Sequence, residues 1–242
     1  DFALDRIRRE FAAVVIAVGL KRSRKIPIPG TDAPGVLGAV EFLREIAFHR
    51  TVHLGERVVV IGGGNVAYDA ARTAVRQSSV DASRSALRLP GVHQVPLCSL
   101  ESLEEMPADD AEIIEGDEEG VVRLNRVGPK EILLDGAGKA RGVRMVKVLS
   151  VFDAGGRFAP KYDESAVTEL EADSVILAIG QRGDLSFIEP ARDGVRLDQR
   201  GGLELDAATQ ATSAPGVFAA GDIAHGPRLM IHAIASGKQA AR

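Results

Sequence analysis

Hydrophobic residues gather in four short runs along the chain, and each run ends in glycine. In chain order, they are Ala12–Gly19, Arg57–Gly62, Ser174–Gly180 and Gly216–Gly221. Each run is rich in β-branched residues and apolar at odd and even positions alike, which is typical of strands buried on both faces. A glycine at a strand end permits a sharp turn and the close approach of a ligand. The pattern predicts strands of a parallel sheet covered by helices.

Helical spacing separates these strands. Apolar residues recur at intervals of three and four over Val36–Phe48, Asn65–Arg76 and Met230–Ala241. Strands that alternate with helices predict an α/β fold. The middle of the chain differs, because Val121–Leu170 consists of short alternating runs around a turn at Asp153–Gly156. This segment predicts a β-meander or hairpin attached to the parallel sheet.

Charge and length narrow the classes of function. The 242 residues carry 34 acidic and 30 basic side chains, with no basic stripe suited to a nucleic-acid partner. No apolar run approaches the roughly 20 residues that span a bilayer, so we expect neither a membrane nor a secreted protein. The acidic segment Asp109–Gly120 is expected to have no basic partners, and it predicts a solvated helix face and loop.

The chain has a single cysteine, Cys98. One cysteine cannot form an internal disulfide, a Cys-x-x-Cys redox pair, a cysteine-ligated zinc site or an iron–sulfur cluster held by this chain alone. The five histidines show no metal-ligand spacing. Any redox chemistry must therefore come from a bound organic cofactor, and a reducing cytoplasm is the expected location.

The second hydrophobic run leads directly into a glycine-rich turn and a helix. The turn consists of Gly62, Gly63, Gly64, Asn65, Val66 and Ala67. This is a G-x-G-x-x-A pattern in a strand–turn–helix context, which is typical of dinucleotide-binding proteins. The first glycine makes the turn, the second admits a pyrophosphate against the backbone, and the alanine lets the helix pack on the strand. The motif predicts a Rossmann-like NAD(P)-binding domain.

An acidic residue should follow the next strand, near the adenosine ribose. The candidate strand is His93–Glu101, and Glu101 is the candidate acid. It lies further from the glycines than the roughly 20 residues usual for this acid, and Ser78–Gly91 has the character of an insertion. A carboxylate there would accept both ribose hydroxyls of NADH and repel the 2′-phosphate of NADPH. The alternative is that Glu101 caps or decorates a surface loop, and Pro96 is unusual inside a strand.

The last hydrophobic run ends in Gly221 and Asp222. The carboxylate of Asp222 projects from the carboxyl end of a strand, where it can accept hydrogen bonds from a polyol hydroxyl. By itself a Gly-Asp pair also fits a buried turn aspartate.

Taken together, these segments resemble the two-dinucleotide-binding-domain flavoproteins, specifically those similar to the glutamate synthase small subunit. The stretch Gly62–Ala74 matches the NAD(P) motif of that family, and Met106–Ala108 follows the second strand as it does there. Ala17–Gly19 and Ala178–Gln181 match its paired crossovers between the FAD and NAD(P) domains. The resemblance covers nearly the whole chain.

The resemblance implies roles for further residues. Gly221 and Asp222 would contact the ribitol and phosphates of FAD. Gly19, Gly180 and Gln181 would lie at the crossovers. Met230 and Ile231 would begin the last helix beside the flavin. His232 lies on the same helix, where a hydrogen-bonding or solvent-facing role is favoured over a catalytic one.

The resemblance also implies an organisation and an activity. Residues 1–50 and 172–242 would form part of an FAD-binding domain around an NAD(P)-binding domain at 51–171. Such a protein transfers a hydride from NAD(P)H to FAD, and electrons pass to iron–sulfur centres of a larger partner subunit, without a catalytic side chain. Leu100 and Glu101 replace the arginine pair of NADPH-dependent members, which favours NADH. The chain also lacks the first FAD motif of the family and its cysteine-rich segment, so we expect an incomplete FAD domain, inactive alone.

Two alternatives remain. The chain would be a non-catalytic NAD(H)-binding or regulatory module if it never carries flavin. A dithiol reductase of the thioredoxin reductase type is disfavoured by the single cysteine.

Overall fold

The computed structural model describes residues 3–84 and 95–242, with the side chains of 77–84 outside that description. In the first half, the elements are α1 (Leu4–Glu10), β1 (Val14–Ile16), β2 (Arg22–Ser23), β3 (Val36–Gly38), α2 (Ala39–Ala47), β4 (Val58–Ile61), α3 (Asn65–Arg84), β5 (Val95–Cys98), a 3-10 turn (Leu103–Glu105) and α4 (Asp110–Glu118). In the second half, they are β6 (Val121–Leu124), β7 (Val127–Leu134), β8 (Ala140–Phe152), β9 (Phe158–Glu171), β10 (Ser174–Leu177), β11 (Gln181–Arg182), α5 (Pro190–Asp193), β12 (Val217–Ala219), α6 (Asp222–His225) and α7 (Met230–Ala240).

The chain forms two compact units. The larger is continuous, from Ser23 to Gly180, and the smaller combines residues 1–22 with 181–242. These boundaries differ from those predicted near residues 50 and 171. The reason is that β3 and β10, which lie outside the predicted central segment, both pair into the sheet that contains β4.

The larger unit is built on a five-stranded parallel sheet with the order β3-β10-β4-β5-β6. Leu177 pairs with Ile61, and Ile61 pairs with Cys98, so three central strands end side by side. Pro96 is accommodated within β5, opposite Val122 of β6. In a parallel sheet, ligands bind beyond the carboxyl ends of the strands, and this edge is therefore where the predicted site should lie.

Alternate residues of β4 pack on different layers. Val58 and Val60 face a core shared with α2 and α3, whereas Val59 and Ile61 face a core shared with the antiparallel strands β7 and β8. Burial of both faces explains why this strand is apolar at every position. The prediction of helices over the sheet is right for one face only, because the meander covers the other.

The predicted meander is confirmed as a three-stranded antiparallel sheet with the order β7-β8-β9. It begins at Val127 rather than Val121, because Val121–Leu124 is the edge strand β6 of the parallel sheet. Helix α3 continues through Ser78 to Arg84, beyond its predicted end at Arg76. The remainder of the predicted insertion, and residues 93 and 94 of the predicted second strand, lie outside the described residues.

The acidic segment after Asp109 forms α4, and it does have basic partners, contrary to the prediction. Arg72 of α3 pairs with three carboxylates of this region, those of Glu112, Glu115 and Glu119, at 2.6 to 2.9 Å. Glu119 also pairs with Arg76 at 2.8 Å. The partners lie roughly 40 residues away in sequence, where a local charge count cannot find them.

The smaller unit contains a separate two-stranded parallel sheet. Val14–Ile16 of β1 pair in register with Val217–Ala219 of β12. The four glycine-ended strands of the sequence therefore divide between two sheets rather than forming one. A core that includes Leu4, Ile16 and Ile223 surrounds this pair. None of the helices in the described residues is long and apolar enough to cross a membrane.

Candidate functional site

The glycine turn after β4 is held in a geometry that only glycine fits at its first position. Gly62 has φ +150°, and a Cβ built on it would stand 2.4 Å from the carbonyl oxygen of Ala178. Its N–H donates to the carbonyl oxygen of Cys98 at 2.9 Å, which ties the turn to the end of β5. The turn is thus fixed by both neighbouring strands.

The third glycine leaves open space at the start of α3. The nearest atom to a Cβ built on Gly64 is Cγ of Pro107, at 3.9 Å. The Gly64 carbonyl accepts the N–H of Ala67 at 2.8 Å, which begins the helix. Ala67 is fully buried, and Val66 packs partly buried against the same core. The first turn of α3 therefore begins beside open space. Unpaired N–H groups and the positive end of the helix dipole at such a position suit a phosphate.

The side chain of Asn65 is used to position a loop. Its Nδ2 donates to Oδ2 of Asp109 at 2.7 Å, and its Oδ1 accepts the Asp109 N–H at 2.8 Å. Asn65 therefore joins the start of α3 to the start of α4. Its contribution to the predicted phosphate site would come from its backbone.

Glu101 lies beside the glycine turn. Its carboxylate oxygen Oε2 is 2.8 Å from the position of a Cβ built on Gly63, and Glu101 is half-buried. The N-terminal position of the following 3-10 turn is occupied by Ser102, whose N–H donates to Oε2 of Glu105 at 3.1 Å. Glu101 is thus not the cap of that turn, and its carboxylate approaches the turn that carries the dinucleotide motif.

Three donors fix the backbone of Glu101, and sequence analysis missed all of them. The Glu101 carbonyl accepts from Oγ of Ser99, from Nδ2 of Asn125 and from the N–H of Arg126, each at 3.1 Å. Asn125 also donates to Oγ of Ser99 at 3.0 Å. The only sequence signal for these residues is a cluster of polar residues just after β5 and β6, at the end where ligands bind.

Leu100, the neighbour of Glu101, points toward the meander. A Cβ built on Gly128 would stand 2.9 Å from Cδ2 of Leu100 and 2.8 Å from Cε1 of Tyr162. The two side chains therefore meet over Gly128. Burial, followed by the nearby Glu164 carboxylate, raises the pKa of Tyr162, so its hydroxyl stays neutral over the physiological range.

The second group of predicted residues lies in the smaller unit. Gly221, at φ +73°, lies two residues after β12 and immediately precedes α6, and its N–H donates to Oγ of Ser236 at 2.8 Å. Ser236 is buried, and its hydroxyl donates a hydrogen bond to the carbonyl oxygen of Ala233 at 3.0 Å. Asp222 accepts the N–H of Arg228 at 3.3 Å and is half-buried. Sequence analysis did not single out Ser236, which fixes this turn.

Helix α7 begins with exposed apolar residues. Met230 is 79% exposed and Ile231 is 63% exposed. His232 is also exposed, which agrees with a solvent-facing role. Large apolar side chains at this exposure are typical of a surface that receives a ligand or a partner.

The predicted crossover glycines have the backbone that glycine favours. Gly19, in the smaller unit, has φ +66° with open space around it. Gly180, the last residue of the larger unit, has φ +112° and accepts the N–H of Arg24 at 3.0 Å. Gln181 follows it as the first residue of β11. Six predicted residues (Gly62 to Ala67) and Glu101 thus come together in the larger unit, while Gly19, Gln181, Gly221, Asp222, Met230 and Ile231 belong to the smaller one.

Cys98 is a buried free cysteine at the end of β5. Burial raises its pKa to about 12, so the reactive thiolate is not populated at neutral pH. Among the described residues, no group of three or more His, Cys, Asp or Glu side chains is placed to hold a metal ion.

Comparison with known proteins agrees with this arrangement. NADP(+)-dependent formate dehydrogenase subunit beta from Moorella thermoacetica is 36% identical over 245 residues, covering 100% of this chain and 32% of that protein. The NADPH glutamate synthase small chain from Azospirillum brasilense is 33% identical over 257 residues, covering 100% of this chain and 50% of that protein. The chain therefore spans between a third and a half of the length of these relatives.

Solved structures share the fold. Mycobacterium tuberculosis FprA in complex with NADPH matches with a TM-score of 0.75 and 22% identity, over 98% of this chain and 63% of that one. Thioredoxin reductase from T. acidophilum matches with a TM-score of 0.62 and 25% identity, over 95% of this chain and 63% of that one. A family model described as pyridine nucleotide-disulphide oxidoreductase matches residues 5–237. Because that model matches nearly the whole chain, this chain belongs to the pyridine nucleotide-disulphide oxidoreductase family.

Proposed function

We propose that this chain is the electron-input part of an oxidoreductase similar to the glutamate synthase small subunit. It binds NAD(P)H, with NADH preferred, and passes a hydride to FAD in the intact protein. Electrons then reach iron–sulfur centres in a larger partner subunit. The relatives are named as subunits of a formate dehydrogenase and a glutamate synthase, which supports a partner of that kind. The single cysteine favours a reducing cytoplasm.

One observation carries the nucleotide part of the proposal, namely the approach of the Glu101 carboxylate to the Gly63 position of the dinucleotide turn. A pyrophosphate at this turn would bring the adenosine ribose toward the end of β5, where Glu101 lies. A carboxylate accepts two ribose hydroxyls well, and it repels a 2′-phosphate through like charge. We therefore assign NADH preference to Glu101, although the relatives are named for NADP(H).

The residues around the glycine turn fit a nucleotide for a second reason. The Gly64 position is open, and the turn is fixed by the hydrogen bond from Gly62 to Cys98 before any ligand arrives. A site built in advance loses less conformational entropy on binding. We assign nucleotide binding to the larger unit on these grounds.

We assign the flavin role to the smaller unit. The Gly221 turn is held by Ser236, the Asp222 carboxylate stands at a strand end, and the start of α7 is apolar and exposed. The carboxylate suits the hydroxyls of the ribityl chain of FAD, and the apolar helix start suits its flat ring. When bound, nicotinamide and flavin supply the hydride chemistry, and the protein contributes binding, orientation and electrostatics.

Calorimetric titration of the chain with NADH and, separately, NADPH tests the nucleotide assignment. We expect tighter binding of NADH. Glu101→Gln should weaken NADH binding by about tenfold, because a charged acceptor is lost, and should strengthen NADPH binding. Glu118→Gln, an exposed acid on α4, is the charge-matched control and should change neither affinity. Tighter binding of NADPH by the unaltered chain would contradict the Glu101 assignment.

The flavin assignment is tested on the intact protein. We expect the visible absorbance of a bound flavin, bleached when NADH is added. An intact protein that binds NADH and purifies without flavin would instead support a non-catalytic NAD(H)-binding module.

A further inference from the structure

Arg126 lies beside the candidate ribose acid. It follows the carboxyl end of β6, which pairs with the strand that leads to Glu101. Its N–H donates to the Glu101 carbonyl at 3.1 Å, and its own carbonyl accepts the N–H of Val148 at 2.8 Å. The backbone of Arg126 is thus fixed between the end of β5 and the meander. In the sheet, β5 lies between β6 and β4, the strand that leads into the glycine turn.

The backbone of Arg126 is in a conformation that disfavours any residue with a Cβ. Its φ is +59°, in the left-handed region, and His49 and Gln210 are the other non-glycine residues with positive φ in the described part of the chain. Such a conformation costs roughly 1–2 kcal/mol for a residue with a Cβ, and glycine would avoid it. Backbone strain of this kind clusters at functional sites, which is a reason to expect a function for the Arg126 side chain.

The guanidinium group of Arg126 has unused hydrogen-bonding capacity. Its Nη2 is 2.9 Å from Oε2 of Glu105, which also accepts the Ser102 N–H. Its Nη1 is shielded from solvent and has no hydrogen-bond partner in the structure as described. The side chain as a whole is 35% exposed. An always-charged group with an unsatisfied buried donor is stabilised by an anion that supplies the missing acceptor.

From this geometry we infer that Arg126 is a second determinant of nucleotide choice and binds the 2′-phosphate of NADPH; the inference rests on the proposed nucleotide site. The 2′-phosphate is attached to the ribose that Glu101 would contact, and a guanidinium matches phosphate oxygens in pairs. Glu101 and Arg126 then oppose each other. The carboxylate selects for a free 2′-hydroxyl, and the guanidinium retains affinity for a phosphorylated one.

Fragment ligands test this inference without flavin or turnover. ADP and 2′,5′-ADP would each be titrated by calorimetry into the chain and into Arg126→Gly. Glycine suits the positive φ, so this variant removes the guanidinium without adding backbone strain. We expect 2′,5′-ADP to bind about 10- to 100-fold more weakly, the loss of a charge-assisted contact, while ADP changes by less than about threefold.

Two further variants test whether the effect is specific to the Arg126 guanidinium. Glu105→Gln removes the competing carboxylate while keeping the hydrogen bond of the turn, so it should strengthen 2′,5′-ADP binding. Arg157→Ala removes an arginine that is 85% exposed in the turn after β8 and should change neither ligand.

The outcomes separate the two proposals. Equal losses for both fragments in Arg126→Gly, or no loss, would overturn the Arg126 assignment and leave the nucleotide site intact. Binding of ADP with no binding of 2′,5′-ADP by the unaltered chain would do the same. Failure of the unaltered chain to bind either fragment would overturn the nucleotide site together with the inference built on it.

Discussion

The carboxylate of Glu101 occupies the space that a side chain at Gly63 would need, since a Cβ built there would stand 2.8 Å from Oε2. The middle residue of a G-x-G turn has no general requirement for glycine. Here the Glu101 carboxylate, together with the Cβ of buried Ser99 at 3.2 Å, crowds that position. The identity of the turn residue and the direction of the acid are therefore linked in this protein.

The first prediction follows from this contact. Gly63→Ala should move the Glu101 carboxylate, because Gly63 is outside the positive-φ region and the carboxylate is the part that can shift. We expect the preference for NADH over NADPH to narrow, as in Glu101→Gln. Calorimetric titration with both nucleotides measures the preference. Gly136→Ala, where a Cβ meets nothing within 4 Å, is the control, and an unchanged preference in Gly63→Ala would contradict the prediction.

The second prediction concerns the turn in the smaller unit. Ser236→Ala removes the acceptor of the Gly221 N–H and leaves a partly buried donor unpaired. We expect a loss of about 1–3 kcal/mol in the free energy of unfolding of this unit, measured by urea titration. Hydrogen exchange at the Gly221 amide should also accelerate. Ser165→Ala, an exposed serine in the meander, should have no such effect, and slow exchange at Gly221 in the Ser236 variant would rule the role out.

The third prediction compares two helical glycines. Gly116 in α4 faces the ring of Tyr68, and a Cβ there would stand 2.6 Å from Cδ1 of a fully buried side chain. Gly116→Ala should therefore lower the free energy of unfolding by about 1–3 kcal/mol, despite the better helix propensity of alanine. Gly237 in α7 has nothing within 4 Å, so Gly237→Ala should raise stability by about 0.5–1 kcal/mol. Thermal or urea unfolding distinguishes the two, and the same sign in both variants would contradict the packing argument.

The fourth prediction is a dependence of stability on pH. Hydrogen bonding from Arg76, and then from Arg72, lowers the pKa of Glu119 to about 2 from 4.5. Between those values the unfolded chain binds a proton that the folded chain does not, so this group stabilises the fold fully above about pH 4.5 and loses its contribution as the pH falls toward 2. The contribution should be about 1–2 kcal/mol after screening by solvent.

Urea unfolding between pH 3 and pH 7 measures this contribution. Glu119→Gln should have a flatter profile than the unaltered chain through the acid range. Glu118→Gln changes the same charge at the next, exposed position and should keep the original slope. Parallel profiles for Glu119→Gln and the unaltered chain would show that the ion pairs with Arg72 and Arg76 are not the source.

Local pattern was sufficient to predict part of this structure. The strand into Gly62 and the helix after it follow from hydrophobic period and glycine position, both of which are properties of neighbouring residues. Which strands share a sheet is not such a property, and the separate pairing of β1 with β12 could not be derived from the runs themselves. The approach of Glu101 to the glycine turn agrees with the predicted placement, while its role toward a nucleotide stays a prediction.

The residues that hold the candidate site were harder to predict. Ser99, Asn125 and Ser236 each make hydrogen bonds to backbone atoms, and such contacts leave no period or spacing in the sequence. The acidic segment after Asp109 lacks basic residues of its own, yet Arg72 and Arg76 reach it from α3. For Asn125, Ser236 and the acidic segment, the partner is distant along the chain and near only in the fold.

The smaller unit is made of two stretches of chain that are far apart in the sequence, and this affects how it forms during synthesis on the ribosome. Residues 23–180 are continuous and hold all five strands of the parallel sheet, so this unit has every strand it needs as soon as β10 emerges. Val14–Ile16, by contrast, are made early and must wait for Val217–Ala219. The wait spans roughly 200 residues, or about 10 to 40 seconds at 5–20 residues per second. During that time Val14–Ile16 are without the strand that pairs with them in the folded protein.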